Sequence, residues 1–241
     1  EFLMGSSPEA TARLLEKIPE ERLKGRIQRE DPQKVAKIAS AFQLGMHEVT
    51  LEQVRAFVNA TGYKTVAETN GKGGHEWDGA ARAFEPNPKL TWKNAAFAPT
   101  DRHPVVFISY EDAEAFCDWL SKKEGRQYVV PSPAQWEFAC RAGTTTEWSF
   151  GDDESVAKEY AWFRTPGSFS TQPVGLKKAN AFGLFDMHGN VEELAMDPLD
   201  RNKSQVRGSR ANLNAITGRS AGYDYLKWAP THDCLGFRVA I

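Results

Sequence analysis

The sequence predicts a single α+β domain, residues 1–241, with two or three helices, short strands in small twisted sheets and much irregular structure. Three observations predict this class. Helix-capping patterns precede only a few amphipathic stretches, the apolar runs that could form strands are short, and Gly, Pro and Asn recur through long intervening segments. With 41% hydrophobic residues, the chain is also long enough to bury a sizeable core.

Three helices are predicted from their first residues. A hydroxyl cap at Thr50 starts a helix that runs to about Asn59, and Ser109 caps a second helix that ends at Gly125. Ser132 caps a third, with proline at its first helical position. In each case a residue three positions on can bond back to the cap, or lies in the favourable first turn.

The rest of the chain is predicted to be short strands, one further helical segment and loops. The helical segment, residues 8–29, is charged and is expected to be an exposed insertion that frays near Pro19. Residues 61–99 are rich in Gly, Pro and Asn and are expected to lack elements of their own. Strands are predicted within 1–7, 34–44, 103–109, 128–130 and 236–241.

One stretch, Asn180 to Glu193, is expected to organise the whole chain. It alternates apolar anchors with glycines and short polar side chains, so that Gly183 and Gly189 exclude a regular helix. Asp186 favours a turn because its side chain can bond its own backbone. We therefore predict a buried, tightly folded turn segment that joins the two halves of the domain.

This stretch resembles the core signature of the formylglycine-generating enzyme (sulfatase-modifying factor) family. The family pattern is N-x-[FY]-G-L-x-D-M-x-G-N-V-W-E-W, and this chain reads NAFGLFDMHGNVEE. Other family features occur in the same order, namely FLMG, GMHEVT, HPVV, PSPAQWEFACR, PVG, RGS and the closing GFRV. The resemblance covers essentially the whole chain and implies a C-type-lectin-like fold of the formylglycine-generating-enzyme type.

The resemblance also implies a calcium site in the turn segment. Family members hold calcium through a carboxylate or amide side chain, two backbone carbonyls and a glutamate. Carried across, these are the Asp186 side chain, the carbonyls of Gly189 and Val191, and the Glu193 side chain. Calcium prefers six to eight oxygen ligands, which a tight turn can present. The alternative is that Asp186 only makes a turn and Glu193 is solvated.

The catalytic cysteines of the family have no counterpart here. Family enzymes bind copper(I) through two thiolates that follow the R-G-[GS]-S motif, and these positions hold Asn212 and Thr217. The signature tryptophans are replaced by Glu192 and Leu194. Copper is therefore not expected, and the sequence favours a non-catalytic member. The alternatives are an oxidase of the family with an altered active site, or a regulatory domain cut from a larger, kinase-linked protein.

The C-terminal stretch, residues 210–233, is predicted to carry the ligand site. It mixes aromatic with small polar side chains, as binding loops do. In some bacterial relatives this stretch is diversified by a retroelement, and drift after loss of catalysis is the alternative. The predicted ligand-binding residues are Arg210, Asn212, Asn214, Thr217, Tyr223, Tyr225 and Trp228.

Composition excludes several other classes of protein. The net charge of −2 and pI of about 6.3 argue against a nucleic-acid partner, and no apolar run approaches the length of a membrane span. The three cysteines do not form a disulfide framework, which favours the cytoplasm. The five histidines are widely spaced, so that a three-histidine iron site is not expected. The ligand is expected to be a protein or a small molecule.

Overall fold

Two strands and two helices form the N-terminal part of the computed structural model, which describes residues 1–30, 32–81, 83–95, 99–163, 170–197, 200, 204–211, 213–225 and 231–241. They are β1 (Phe2–Met4), α1 (Pro8–Lys17), α2 (Glu21–Gln28) and β2 (Lys34–Ala36), and β1 pairs antiparallel with β2. The helix break near Pro19 is confirmed. The prediction of an exposed insertion is wrong, because Leu14, Ile18 and Ile27 form a buried cluster. The predicted strand 34–44 is confirmed only at its start.

The three capped helices form where the sequence predicts them. They are α3 (Leu51–Thr61), α5 (Tyr110–Glu124) and α6 (Pro133–Arg141), and each begins with a reciprocal capping box. One short helix, α4 (Val66–Thr69), lies between α3 and α5. Gly62 and Gly125 end α3 and α5 at positive φ, 70° and 66°, which glycine adopts without the clash of a Cβ atom.

A hairpin lies in the segment that was predicted to have no elements, so that prediction is wrong. Strands β3 (Gly74–Asp78) and β4 (Ala83–Asn87) pair antiparallel, and the rings of Trp77 and Phe84 meet at 5.4 Å. The amide of His75 donates to the carbonyl of Thr231, 2.8 Å away. The hairpin therefore lies against the C-terminal part of the chain.

A four-stranded sheet forms the second half of the fold. Its strands are β5 (Glu192–Ala195), β6 (Gln205–Arg207), β7 (Tyr223–Asp224) and β8 (Leu235–Gly236), in the order β7-β6-β5-β8. β5 pairs antiparallel with β6 and parallel with β8. Two 3₁₀ turns, Glu154–Glu159 and Ala215–Gly218, complete the regular structure among the described residues. The turn segment thus leads directly into the central strand β5.

The main core lies between this sheet and the helices α3 and α5. Phe57 and Phe116 from the helices pack in one cluster with Leu194 and Phe237. Residues 103–109 and 128–130 were predicted to be strands, but the structure has only isolated bridges there, at Pro104 and Val129. No helix in the described ranges is long and apolar enough to cross a bilayer. The fold is α+β and C-type-lectin-like, as predicted.

Candidate functional site

Charged side chains from distant parts of the chain meet around the first residue of β5. Glu192 begins this strand, Asp224 ends β7, and Arg26 reaches across from α2. Arg210 follows β6, and His232 precedes β8. We call these five residues the Glu192 cluster. Arg26, Glu192, Arg210 and His232 are at least nine-tenths buried, and Asp224 is half-buried.

The side chains of the Glu192 cluster face one another at ion-pair distances. The closest approaches are Arg26 Nη1 to Glu192 Oε1 at 3.8 Å, Arg210 Nε to Glu192 Oε2 at 3.9 Å, His232 Nε2 to Glu192 Oε2 at 3.6 Å, and Arg26 Nε to Asp224 Oδ2 at 3.7 Å. Hydrogen bonds between nitrogen and oxygen measure about 2.7–3.2 Å. These four contacts are therefore ion pairs longer than a hydrogen bond.

Three guanidinium donors in this cluster are buried without a hydrogen-bond partner among the described residues. They are Nη2 of Arg26 and both Nε and Nη1 of Arg210. Leaving a buried donor unsatisfied costs about 1–3 kcal/mol, and more for a charged group. The carboxylates of Glu192, Asp233 and Asp224 raise the pKa of Arg210 although burial opposes it. Arg210 therefore stays charged with unused donors.

One wall of the Glu192 cluster is an aromatic ring from the β3–β4 hairpin. The guanidinium of Arg210 lies 4.9 Å from the centre of the Phe84 ring, and the His232 ring stacks on Phe84 at 4.8 Å. Burial lowers the pKa of His232 to about 3, against the opposing effect of Glu192. The imidazole is therefore neutral at neutral pH.

This depressed pKa predicts a loss of stability in acid. The unfolded imidazole binds a proton near pH 6.5, but the native His232 does not until about pH 3, so the free energy of unfolding falls as pH drops through this window. Below the unfolded pKa the slope is about 1.4 kcal/mol per pH unit for one imidazole. Urea denaturation at several pH values gives the free energy of unfolding as a function of pH. We expect the slope of this plot to be shallower by this amount in His232→Asn than in the wild-type protein. An unchanged slope would contradict a neutral His232.

The turn segment from Asn180 to Glu193 is the second arrangement of interest. Asp186 and Asn190 both adopt positive φ, 60° and 69°, which is uncommon outside glycine. Asp186 Oδ2 accepts the amide of Gly175 at 2.7 Å, while the buried Oδ1 has no partner among the described residues. Burial raises the pKa of Asp186. One carboxylate oxygen is thus free to accept a further ligand.

Glu193 at the end of this segment is paired inside the protein. Its carboxylate receives Nε and Nη2 of Arg238 at 2.7 and 2.6 Å, and the indole of Trp136 at 2.7 Å. Arg238 also donates to the carbonyls of Gly45 and Phe185. The alternative of a solvated Glu193 is therefore wrong, because the residue is fully buried.

A further acidic residue, Glu48, was missed by the sequence reasoning. Its Oε2 accepts the side-chain amide of Asn190 at 2.8 Å, so the structure brings it to the turn segment. Burial, and then the charges of Asp186 and Glu193, raise its pKa well above the usual range. The available signal was an acidic residue inside the GMHEVT motif, two residues before the helix cap Thr50.

The oxygen acceptors around the turn segment are of the type that calcium binds. Glu48, Asp186 and Glu193 place three carboxylates in a buried region where Arg238 supplies one balancing charge. Asp186 Oδ1 is unpartnered, and the predicted ligand set adds the carbonyls of Gly189 and Val191. Within the described ranges no three or more His, Cys, Asp and Glu side chains converge as a metal-binding group. A cation here would therefore depend on the backbone carbonyls as well.

The described members of the predicted ligand-binding set differ widely in burial. Arg210 and Thr217 are buried, Tyr223 and Tyr225 are half-buried, and Asn214 is exposed. The hydroxyl of Tyr223 donates to the carbonyl of Arg29 at 2.9 Å, and the two tyrosine rings meet edge to face. Asn212 and Trp228 lie outside the described residues. Of this set, Arg210 belongs to the Glu192 cluster.

The three cysteine thiols and the ring of His188 are buried in the protein interior. Cys117, Cys140 and Cys234 are all buried, and burial raises their pKa values, to about 12 for the first two. His188 uses Nδ1 on the Gly218 carbonyl, at 2.8 Å, and accepts the Ser149 amide at Nε2. Both ring nitrogens of His188 are therefore used in contacts inside the protein.

Comparison with known proteins supports these observations. The sequence profile of the sulfatase-modifying factor enzyme 1-like domain matches residues 1–241. The formylglycine-generating enzyme of Mycobacterium tuberculosis is 32% identical over 192 residues, which cover 64% of this chain and 62% of the relative. The inactive C-alpha-formylglycine-generating enzyme 2 of Mus musculus is 27% identical over 180 residues, covering 63% of this chain and 56% of the relative.

A solved structure covers the chain more completely. PvdO from Pseudomonas aeruginosa superimposes with a TM-score of 0.74 at 28% identity, over 99% of this chain and 90% of that one. The chain spans less than two thirds of the length of both curated relatives. The shared fold therefore extends from end to end, while the curated relatives carry additional sequence.

Proposed function

Because the chain belongs to the sulfatase-modifying factor enzyme 1-like family, we propose that it is a non-catalytic, calcium-stabilised binding domain of that family. Its ligand site is the Glu192 cluster at the base of the C-terminal stretch. The observation that carries the proposal is the set of buried, unpartnered guanidinium donors on Arg26 and Arg210. Buried donors of this kind are normally satisfied by protein, water or a ligand.

The residue in place of the second family cysteine supports the loss of catalysis. Thr217 is buried, and its hydroxyl lies 2.6 Å from Ser209 Oγ and donates to the Asn214 carbonyl at 2.8 Å. Copper(I) favours soft thiolate ligands, and a hydroxyl bonded in this way is a poor substitute. The name of the mouse relative shows that the family includes inactive members.

The experiment for this proposal is a turnover assay. The purified protein is mixed with copper(I), oxygen and a peptide carrying Cys-x-Pro-x-Arg, and the Mycobacterium tuberculosis enzyme serves as the positive control. The peptide mass should stay unchanged with this protein and change with the control. Conversion of the cysteine to an aldehyde would contradict the non-catalytic assignment.

Calcium would be held by this chain's own oxygens in the turn segment. The ligands would be Asp186 Oδ1, a carboxylate oxygen of Glu193, and the carbonyls of Gly189 and Val191, with the Glu48 carboxylate nearby on Asn190. Bound calcium supplies positive charge that balances the carboxylates. Glu193 would remain paired with Arg238, and Asn190 would continue to orient Glu48.

Retroelement diversification of the C-terminal stretch remains a prediction. The burial of Arg210 and Thr217 favours fixed roles for these two residues, whereas Asn214 is exposed and Tyr223 and Tyr225 are partly exposed. A diversified ligand site would therefore use these three positions around a constant Glu192 cluster.

An oxidase with an altered active site is the second candidate. The observation that favours it is the neutral His232 whose Nε2 lies 3.6 Å from the Glu192 carboxylate, because such a pair can hold and pass a proton. Proton-transfer pairs are common to enzymes and to ligand sites, so turnover decides between them.

A further inference from the structure

A cavity of about 520 Å³ lies between α5, the start of α6 and residues 128–130. Its volume is within the range of about 300–1,000 Å³ that is typical of ligand sites. No described residue that lines it belongs to the Glu192 cluster. We propose that this cavity is a second binding site, which takes an extended peptide segment with a basic side chain through the backbone of Val130 and the carboxylate of Asp118. Failure of this proposal would leave the function proposed above unaffected.

The backbone of Val130 has two polar groups whose partners are not among the described residues. Neither its N–H nor its carbonyl bonds to another described residue, although only 8% of Val130 is exposed. In native proteins about nine-tenths or more of the buried backbone groups are paired. Val130 lines the cavity, so a molecule in the cavity is in position to supply the two missing bonds.

Neighbouring residues show which way these two groups point. Val129 bonds to Ala240 through both its N–H and its carbonyl, at 2.9 and 2.8 Å. Tyr128, one residue earlier, donates its N–H to the hydroxyl of Ser121 on α5, at 2.8 Å. Consecutive residues of an extended strand direct their N–H and C=O groups to opposite edges. The groups of Val130 therefore point away from Ala240, toward the α5 side where the cavity lies.

One residue of an extended peptide can satisfy both groups of Val130. In an antiparallel ladder two opposite residues exchange both N–H···O bonds, and peptides bind to open strand edges in this way. Two polar side chains of the same wall are already bonded inside the protein. The hydroxyl of Ser132 accepts the amide of Gln135 at 3.2 Å, and the hydroxyl of Tyr128 donates to Glu124. The recognition of a peptide therefore falls to the backbone of Val130.

The side of the cavity that α5 forms is acidic. Asp118 is exposed and forms no ion pair with another described residue. Burial, and then the charges of Asp118 and Glu114, raise the pKa of the Cys117 thiol in the wall to about 12. No lysine, arginine or histidine is among the described residues that line the cavity. A lysine side chain fits this wall because its aliphatic stem can pack on Val130 and Met196 while its ammonium group reaches Asp118.

The test is an NMR titration of isotope-labelled protein, with the backbone N–H signal of Val130 as the readout. The probe is lysine capped as its N-acetyl methylamide. It should shift the signal saturably, with a Kd on the order of 1 mM. The same probe methylated on the lysine backbone nitrogen lacks the donor for the Val130 carbonyl and should bind about fivefold more weakly. Capped norleucine, which lacks the ammonium group, should bind about two- to fivefold more weakly.

A variant locates the positive charge of the probe. Asp118→Asn removes a carboxylate at an exposed position, and the difference between capped lysine and capped norleucine should vanish in it. Asp101→Asn, at an exposed pair with Arg55, is the matched control and should keep this difference. If the Val130 signal shows no saturable shift, if the methylated probe binds as well as the parent probe, or if Asp118→Asn behaves as wild type, the proposal is overturned.

Discussion

Arg238→Met is expected to destabilise the protein by about 3–5 kcal/mol. Arg238 is fully buried and forms a two-bond ion pair with Glu193, and it also donates to the carbonyls of Gly45 and Phe185. Methionine fills much of the same volume but supplies no charge. The carboxylate of Glu193 would be left buried without its counterion, which is the costly state for an ion pair.

The measurement is urea denaturation of purified variants in the presence of calcium. Arg55→Met is the matched control, since Arg55 pairs with Asp101 at the surface and exposed pairs contribute about 0–1 kcal/mol. The double variant Arg238→Met/Glu193→Leu should recover part of the loss because it removes the uncompensated charge. A loss below about 1 kcal/mol in Arg238→Met would contradict the role given to this pair.

Gly189→Ala is expected to destabilise the protein by about 3 kcal/mol. A Cβ atom at this position would lie 2.4 Å from the carbonyl oxygen of Trp162, and backbone cannot move aside as a flexible side chain does. The amide of Asn190 bonds to the same carbonyl, so a shift there would also disturb the turn segment.

Gly25→Ala is the control, and its effect should have the opposite sign. Gly25 lies inside α2, and no atom lies within 4 Å of its added Cβ. Alanine is favoured over glycine by about 1 kcal/mol in a helix interior. Thermal denaturation should therefore show a lower Tm for Gly189→Ala and an equal or higher Tm for Gly25→Ala. Equal effects of the two substitutions would contradict the packing at Gly189.

Local signals in the sequence were sufficient for the helices. The caps at Thr50, Ser109 and Ser132 act within one turn, so the residues that determine them are neighbours in the sequence. The glycines Gly62 and Gly125 end two of these helices for the same local reason. Short strands were less predictable. Pro86 lies in β4, and a proline within a short segment normally argues against a strand. The strand forms because its other residues pair with β3.

Long-range pairing explains the other errors. The charged residues of segment 8–29 were interpreted as a solvated surface, yet Arg26 faces Glu192 and Arg29 bonds to Asp224. These partners are well over a hundred positions away in the sequence. Nothing in the local pattern distinguishes a charge that faces solvent from one that meets a distant counterion. For the same reason the sequence indicated Arg210 as a ligand residue but did not indicate Arg26 and His232, which face the same carboxylate of Glu192.

The turn segment shows what a family resemblance adds. It indicated Asp186, Gly189, Val191 and Glu193 as one calcium-binding group. The structure adds the contacts that such a comparison does not give: Arg238 and Trp136 on Glu193, and Glu48 beside Asn190. These contacts join four separate parts of the chain.

The most direct test of the proposed calcium-stabilised domain is a calorimetric titration of calcium into chelator-treated protein. We expect one ion per chain, with binding weakened at least tenfold in Asp186→Ala and in Glu48→Gln, and unchanged in Asp101→Asn at the exposed surface pair. At 100 times its Kd, calcium should stabilise the fold by about 2.7 kcal/mol. Absence of binding heat, together with equal stability in calcium and in chelator, would contradict the account.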